Sequence, residues 1–144
     1  ADIAPVKYEH DQSQFIEAMQ KVDLSKVEKR SDATLALSKF VEDKSLQNFF
    51  TQSLDMKAKR WKLNLKVLRS EMSEILSFPK IESEFSGHSL FLKGEKSDYI
   101  KSEHRKLIKS LFTKARFATF KEAGHWLHAE KPREFESAAR LFFS

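Results

Sequence analysis

At 144 residues the chain is long enough for a sizeable core, and 40% hydrophobic with 33% charged residues fits a soluble fold. The absence of cysteine excludes a disulfide framework and a thiolate metal site, and no apolar run approaches the ~18 residues of a membrane span. The net charge of +5 comes from 26 basic and 21 acidic residues, interleaved enough that the basic run Lys57–Lys62 reads as a solvated face rather than a nucleic-acid surface.

The chain opens on "ADIAPV", a short apolar segment ending near a proline, which reads as the end of a buried strand running into a loop. From Asp11 to about Leu76 the pattern is helical. Phe15, Ile16, Met19 and Val22 share one face at spacings of three and four. Ser31 is the expected N-cap of a helix carrying Leu35, Leu37, Phe40 and Val41. Leu46, Phe49, Phe50 and Leu54 form the next apolar set, and Leu65, Leu68, Met72, Ile75 and Leu76 the last. Thirteen phenylalanines in all call for burial or mark an apolar pocket.

The texture then changes. "HSLFLKGEKSDYI" (His88 to Ile100) predicts a buried strand whose C-terminal end opens into a loop. An amphipathic helix follows over Lys101 to Phe112, then a strand and its exit loop over Ala115 to His125. A closing helix has Pro132 near its first turn, where proline is tolerated. Strand, helix, strand, helix implies parallel strands with crossover helices. Ligands of such sheets gather at the C-terminal strand ends, which here are marked by Asp2, Asp98 and His125. An imidazole in that position can take up and return a proton, provided a buried carboxylate holds its tautomer. Asp2, among apolar neighbours, and Asp98, in "GEKSDYI", are the two candidate acids.

"DIAPV", "RWKLN", "GEKSDYI" and above all "GHWLHAEKP" resemble the C-terminal part of the α/β-hydrolase superfamily, closest to its YbfF-type esterase branch. The resemblance implies an α/β fold holding edge strands six to eight of a parallel sheet, with an inserted helical cap. Residues 1–8 would be the end of strand six and its exit loop, 9–80 the cap or lid over the pocket, and 81–144 the rest of the core. It implies that His125 is the general base and acid. Its acid partner is Asp2 in the branch resembled, with Asp98 as the alternative because most α/β-hydrolases place the acid there. Trp126, beside the histidine, and Trp61, on the cap, are the expected substrate contacts. His128, three residues after His125, is expected to hydrogen-bond locally. With no carboxylate cluster or cysteine nearby, no metal site and no cofactor are expected.

The nucleophile elbow of this superfamily, G-x-S-x-G, does not occur in the sequence. "FSGHSLF" (Phe85 to Phe91) offers Ser86 and Ser89, but it is read as preceding a strand rather than lying between a strand and a helix. The expectation is therefore part of a cytoplasmic carboxylic ester or thioester hydrolase with a Ser-His-Asp triad. Its serine and oxyanion hole would come from the N-terminal part of the same hydrolase. The 144 residues alone would then be inactive and poorly stable. The substrate would be a small acyl ester or thioester, with no nucleic acid or membrane partner. The competing readings are another reaction on this scaffold, such as dehalogenation, or a non-enzymatic helical module binding through Lys57, Lys59, Arg60 and Lys62.

Overall fold

The computed structural model describes residues 1–144. It divides into two compact units, Ala1–Lys7 with Phe78–Ser144, and Tyr8–Ser77.

The unit Tyr8–Ser77 contains helix α1 (Ser13–Gln20), a single 3-10 turn at Leu24–Lys26, α2 (Arg30–Leu37) and α3 (Lys44–Gln52). A two-stranded antiparallel hairpin, β1 (Leu54–Asp55) and β2 (Arg60–Trp61), follows, then the short helices α4 (Leu65–Ser70) and α5 (Met72–Ile75). Its core joins Ile16, Met19 and Val22 of the first segment to Ala33, Leu37, Val41, Leu54 and Leu65. The hairpin was not expected from the helical periodicity. Its turn is set by the Asp55 carboxylate, which accepts from the Lys57 and Ala58 amides at 3.1 and 3.0 Å, and by Lys59 at φ 51°.

Two further expectations are corrected here. Ser31 lies inside α2 instead of capping it; Asp32 does the work, its carboxylate accepting from the Glu28 and Lys29 amides at 3.1 and 3.0 Å. Leu35, Phe40, Phe49 and Ile75 are exposed rather than core. In α2 the buried stripe is Ala33 and Leu37, four residues apart, and a residue midway between them points to the opposite side. The buried positions of α3 are polar, Gln47 and Thr51. Each is satisfied locally, Gln47 donating to the Val41 carbonyl at 2.7 Å and Thr51 to that of Asn48 at 2.9 Å.

The other unit is built on β3 (Phe85–Gly94), α6 (His104–Leu111) and β4 (Phe112–Phe120), followed by the short α7 (Leu127–Glu130) and α8 (Pro132–Phe143). Strands β3 and β4 are parallel, with α6 as the crossover. The register runs from Phe85 opposite Phe112 to Gly94 opposite Phe120, with an irregularity between Phe85 and His88. β3 thus starts earlier than expected and takes in both Ser86 and Ser89, so neither sits on a strand-to-helix turn.

Side chains alternate across the pair as the period of two requires. Leu92 and Phe120 point to one face, where Leu127 and Ala123 are buried and Phe135 and Ala138 of α8 pack. Phe91, Ala115 and Phe117 face the other way, onto Ile108 of α6, Ile100 and Ala4. Helices on both faces are what a parallel sheet needs to be buried on both sides. The opening segment is not a strand; it is tied to the sheet by one ladder-like bond, from the Asp2 amide to the Leu92 carbonyl at 2.7 Å.

Candidate active site

The two parallel strands end side by side, and their exit loops are knitted together. The Glu95 amide donates to the Phe120 carbonyl (3.0 Å) and the Lys96 amide to the Ala123 carbonyl (2.9 Å). The Glu122 amide donates to the Glu95 carboxylate at 2.8 Å, and Lys96 pairs with Glu122 at 2.5 Å on the surface. The Lys96 ammonium holds the Glu122 carboxyl below its usual range. Gly94 makes the approach possible: a Cβ there would lie 2.0 Å from the Gly124 carbonyl oxygen. Gly124 is a glycine for a related reason, since a Cβ on it would meet a Glu130 carboxylate oxygen at 3.0 Å.

Asp2 sits at the centre of this junction, fully buried and at φ 47°, a left-handed conformation that aspartate tolerates better than most residues. Three donors converge on its carboxylate. The Gly94 amide reaches Oδ1 at 3.1 Å, the Ser97 hydroxyl donates to Oδ2, and His125 Nδ1 lies 2.9 Å from Oδ2. A buried carboxylate needs this degree of satisfaction to be tolerated at all. The imidazole side chain of His125 is 39% exposed. With Nδ1 donating to Asp2, Nε2 is the ring nitrogen left to exchange protons.

Tyr99 stacks on the imidazole, with ring centroids 3.9 Å apart and planes 15° from parallel. Burial, and secondarily the Asp2 charge, push the Tyr99 phenol up from its ordinary value. The Tyr99 amide donates to the Ser97 hydroxyl at 3.3 Å, which links the stacked ring to the group that steadies Asp2. Behind the histidine, Leu127 is 1% exposed and anchors the loop in the core.

Of the two acids read from the sequence, Asp2 is the one that reaches the histidine; Asp98 is exposed. Trp126 is half-buried on the histidine loop. Trp61 packs against the core of the Tyr8–Ser77 unit, its indole N–H donating to the Met19 carbonyl at 2.9 Å. His128 makes an edge-on contact with Phe135, centroids 6.1 Å apart, where a local hydrogen bond was expected. Ser97 and Tyr99 were missed, although they flank the aspartate that drew notice. The available signal was a hydroxyl three residues after the strand-ending Gly94: its amide bonds the Gly94 carbonyl at 3.1 Å and closes a turn.

A parallel strand pair with helices on both faces, and a histidine and a buried aspartate at its C-terminal end, define the class: the chain is part of an α/β-hydrolase fold. No protein-family model matches it. Among individual proteins it is similar to esterases of the YbfF type. It is 29% identical to Esterase YbfF of Escherichia coli over 99% of this chain and 56% of that protein. It is 34% identical to the sn-1-specific diacylglycerol lipase ABHD11 of Mus musculus, over 90% of this chain and 42% of the relative. A solved structure of a marine microorganism esterase superposes with a TM-score of 0.89 at 32% identity, covering 98% of this chain and 58% of that one. The chain thus spans about half the length of the relatives it matches.

Proposed function

We propose that this chain supplies the acid–base pair of a carboxylic ester or thioester hydrolase that works through an acyl-serine intermediate. The observation that carries the reading is the 2.9 Å contact between His125 Nδ1 and the fully buried Asp2 carboxylate. Asp2 holds the imidazole with its proton on Nδ1 and stabilises the imidazolium once it forms. Nε2 then removes the proton from a serine hydroxyl as its oxygen attacks the acyl carbonyl. The same nitrogen returns the proton to the departing alkoxide or thiolate, and a second cycle with water releases the acid. The serine and the oxyanion-stabilising amides belong, in this proposal, to sequence outside these residues, and the fragment alone does not turn over.

The names of the relatives, an esterase and a diacylglycerol lipase, support an acyl ester as the substrate class. The unit Tyr8–Ser77 is proposed as the cap, with Trp126 and Trp61 as the aromatic side chains that meet the acyl group. No helix is long and apolar enough to cross a membrane; a cytoplasmic setting belongs to the same proposal.

The test is a fluorophosphonate probe applied to the full-length protein, alongside hydrolysis of p-nitrophenyl esters of increasing acyl length. Labelling, together with turnover lost in His125→Ala, is the expected result. Absence of both labelling and turnover in the unmutated protein refutes the proposal, and labelling of an aspartate by a haloalkane substrate instead would replace it with dehalogenation.

A further inference from the structure

The Glu130 carboxylate straddles the histidine. One oxygen accepts from the Gly124 amide at 2.8 Å and the other from the Trp126 amide at 3.2 Å, the two residues on either side of His125. The backbone prepares this grip, because the Trp126 carbonyl accepts from both the Ala129 and Glu130 amides at 2.9 Å and so turns Glu130 back over the loop. The contact also leaves little room at position 124, where a Cβ would stand 3.0 Å from a Glu130 carboxylate oxygen. Glu130 lies in the first turn of α7, and one of its two bonds is to the amide of that helix's N-cap residue, Trp126. Its carboxylate thus accepts from two amides outside any helix or strand ladder.

We propose that Glu130 is a positioning residue for His125: a two-oxygen clamp that fixes the backbone on both sides of the histidine and thereby sets the imidazole against Asp2. The Asp2 contact alone does not determine where Nε2 points, since the ring can pivot about a single hydrogen bond. Tyr99 restrains its plane. Glu130 restrains the Cα from which the ring is hung. Only a group with two acceptor oxygens can hold both amides, so the role depends on the carboxylate's shape as much as on its charge.

This inference rests on the hydrolase reading for its kinetic consequence but not for its structural one, and the experiment separates them. In the full-length protein, Glu130→Ala is expected to lower kcat about 10- to 100-fold, the scale of a displacement of about 1 Å at a reacting group, with KM within about twofold. Glu130→Gln keeps one acceptor oxygen and is expected to fall between wild type and Glu130→Ala. Amide hydrogen exchange at Gly124 and Trp126 should rise about tenfold or more in Glu130→Ala, the scale of a lost charge-assisted bond, while exchange in β3 stays unchanged.

Unchanged kcat, or a change confined to KM, overturns the proposal. So does a Glu130→Gln enzyme with wild-type kcat and wild-type exchange at both amides, which would show that a second acceptor oxygen is not needed. If Glu130→Ala does not fold, Glu130→Gln is judged by the same readouts. If the unmutated protein shows no turnover, the hydrolase reading fails and the exchange measurement alone decides: no change at Gly124 and Trp126 removes the clamp.

Discussion

Replacing Gly94 by alanine puts one methyl group where the two strand exits meet. The new Cβ would stand 2.0 Å from the Gly124 carbonyl oxygen and 2.7 Å from that of Ala123, whereas ordinary contact begins near 3.4 Å. Both obstacles are backbone, so no rotamer change relieves them, and the histidine loop has to move away from β3. That movement strains the bond from the Lys96 amide to the Ala123 carbonyl, now 2.9 Å, and the Asp2–His125 contact, also 2.9 Å. Overpacking costs about 1–3 kcal/mol, and losing one backbone bond adds about 1 kcal/mol. The expected loss is therefore about 2–4 kcal/mol in urea unfolding, or a melting point lower by roughly 6–12 °C.

Two other glycines calibrate the result. At Gly87 the atoms nearest the added Cβ all belong to the Phe85 ring, an exposed side chain that can shift. At Gly124 it meets a Glu130 side-chain oxygen at 3.0 Å, which can give way. The order of destabilisation should be Gly94→Ala, then Gly124→Ala, then Gly87→Ala, the last within about 0.5 kcal/mol of wild type. A Gly94→Ala protein as stable as Gly87→Ala would show that the exit loops are not packed as described.

In the full-length protein, Asp2→Asn should cost about 10³–10⁴ in kcat/KM, the scale of losing a triad acid. Asp98→Asn should stay within about threefold, and the reverse order would reassign the acid. Followed by its own ring resonances in NMR, Tyr99 should titrate above pH 10.0, and Asp2→Asn should bring the midpoint part of the way down. Because that phenol is raised on folding, its contribution to stability is complete below the unfolded value and is lost as pH rises through the folded one. A midpoint at or below 10.0 would contradict the burial described. In α2, Leu37→Ala should cost about 2–4 kcal/mol in urea unfolding, because Leu37 is 0% exposed. Leu35→Ala, at 71% exposed, should lie within about 0.5 kcal/mol of wild type.

The strand–helix–strand–helix order of residues 85–143 was legible because alternating apolar positions and the Pro132 helix start are local signals. Chemistry and strand ends together brought out His125 with two candidate acids, Asp2 and Asp98, and it was the "DIAPV" resemblance that favoured Asp2. What failed were choices between adjacent residues. Ser97 faces inward and Asp98 outward because of how a turn closes between the Ser97 amide and the Gly94 carbonyl, and composition carries no information about that. Leu35 and Phe49 were assigned to the core because apolar residues outnumber the buried positions of short helices. Gln47 and Thr51 took such positions because nearby carbonyls could use their donors. The Leu54–Trp61 hairpin was overlooked because two-residue strands have no periodicity to detect, though Asp55 two residues before Lys57 was a usable turn signal.

Every group that touches the Asp2 carboxylate comes from the far side of the sequence, Gly94, Ser97 and His125, and none from Tyr8–Ser77. The intervening seventy or so residues leave and rejoin the scaffold at Lys7 and Phe78 without contributing to that bonding. Mutations that reshape the Tyr8–Ser77 helices remove none of the hydrogen-bond donors to the Asp2 carboxylate. Under the proposed function, substrate preference is then free to drift while the His125–Asp2 pair is kept.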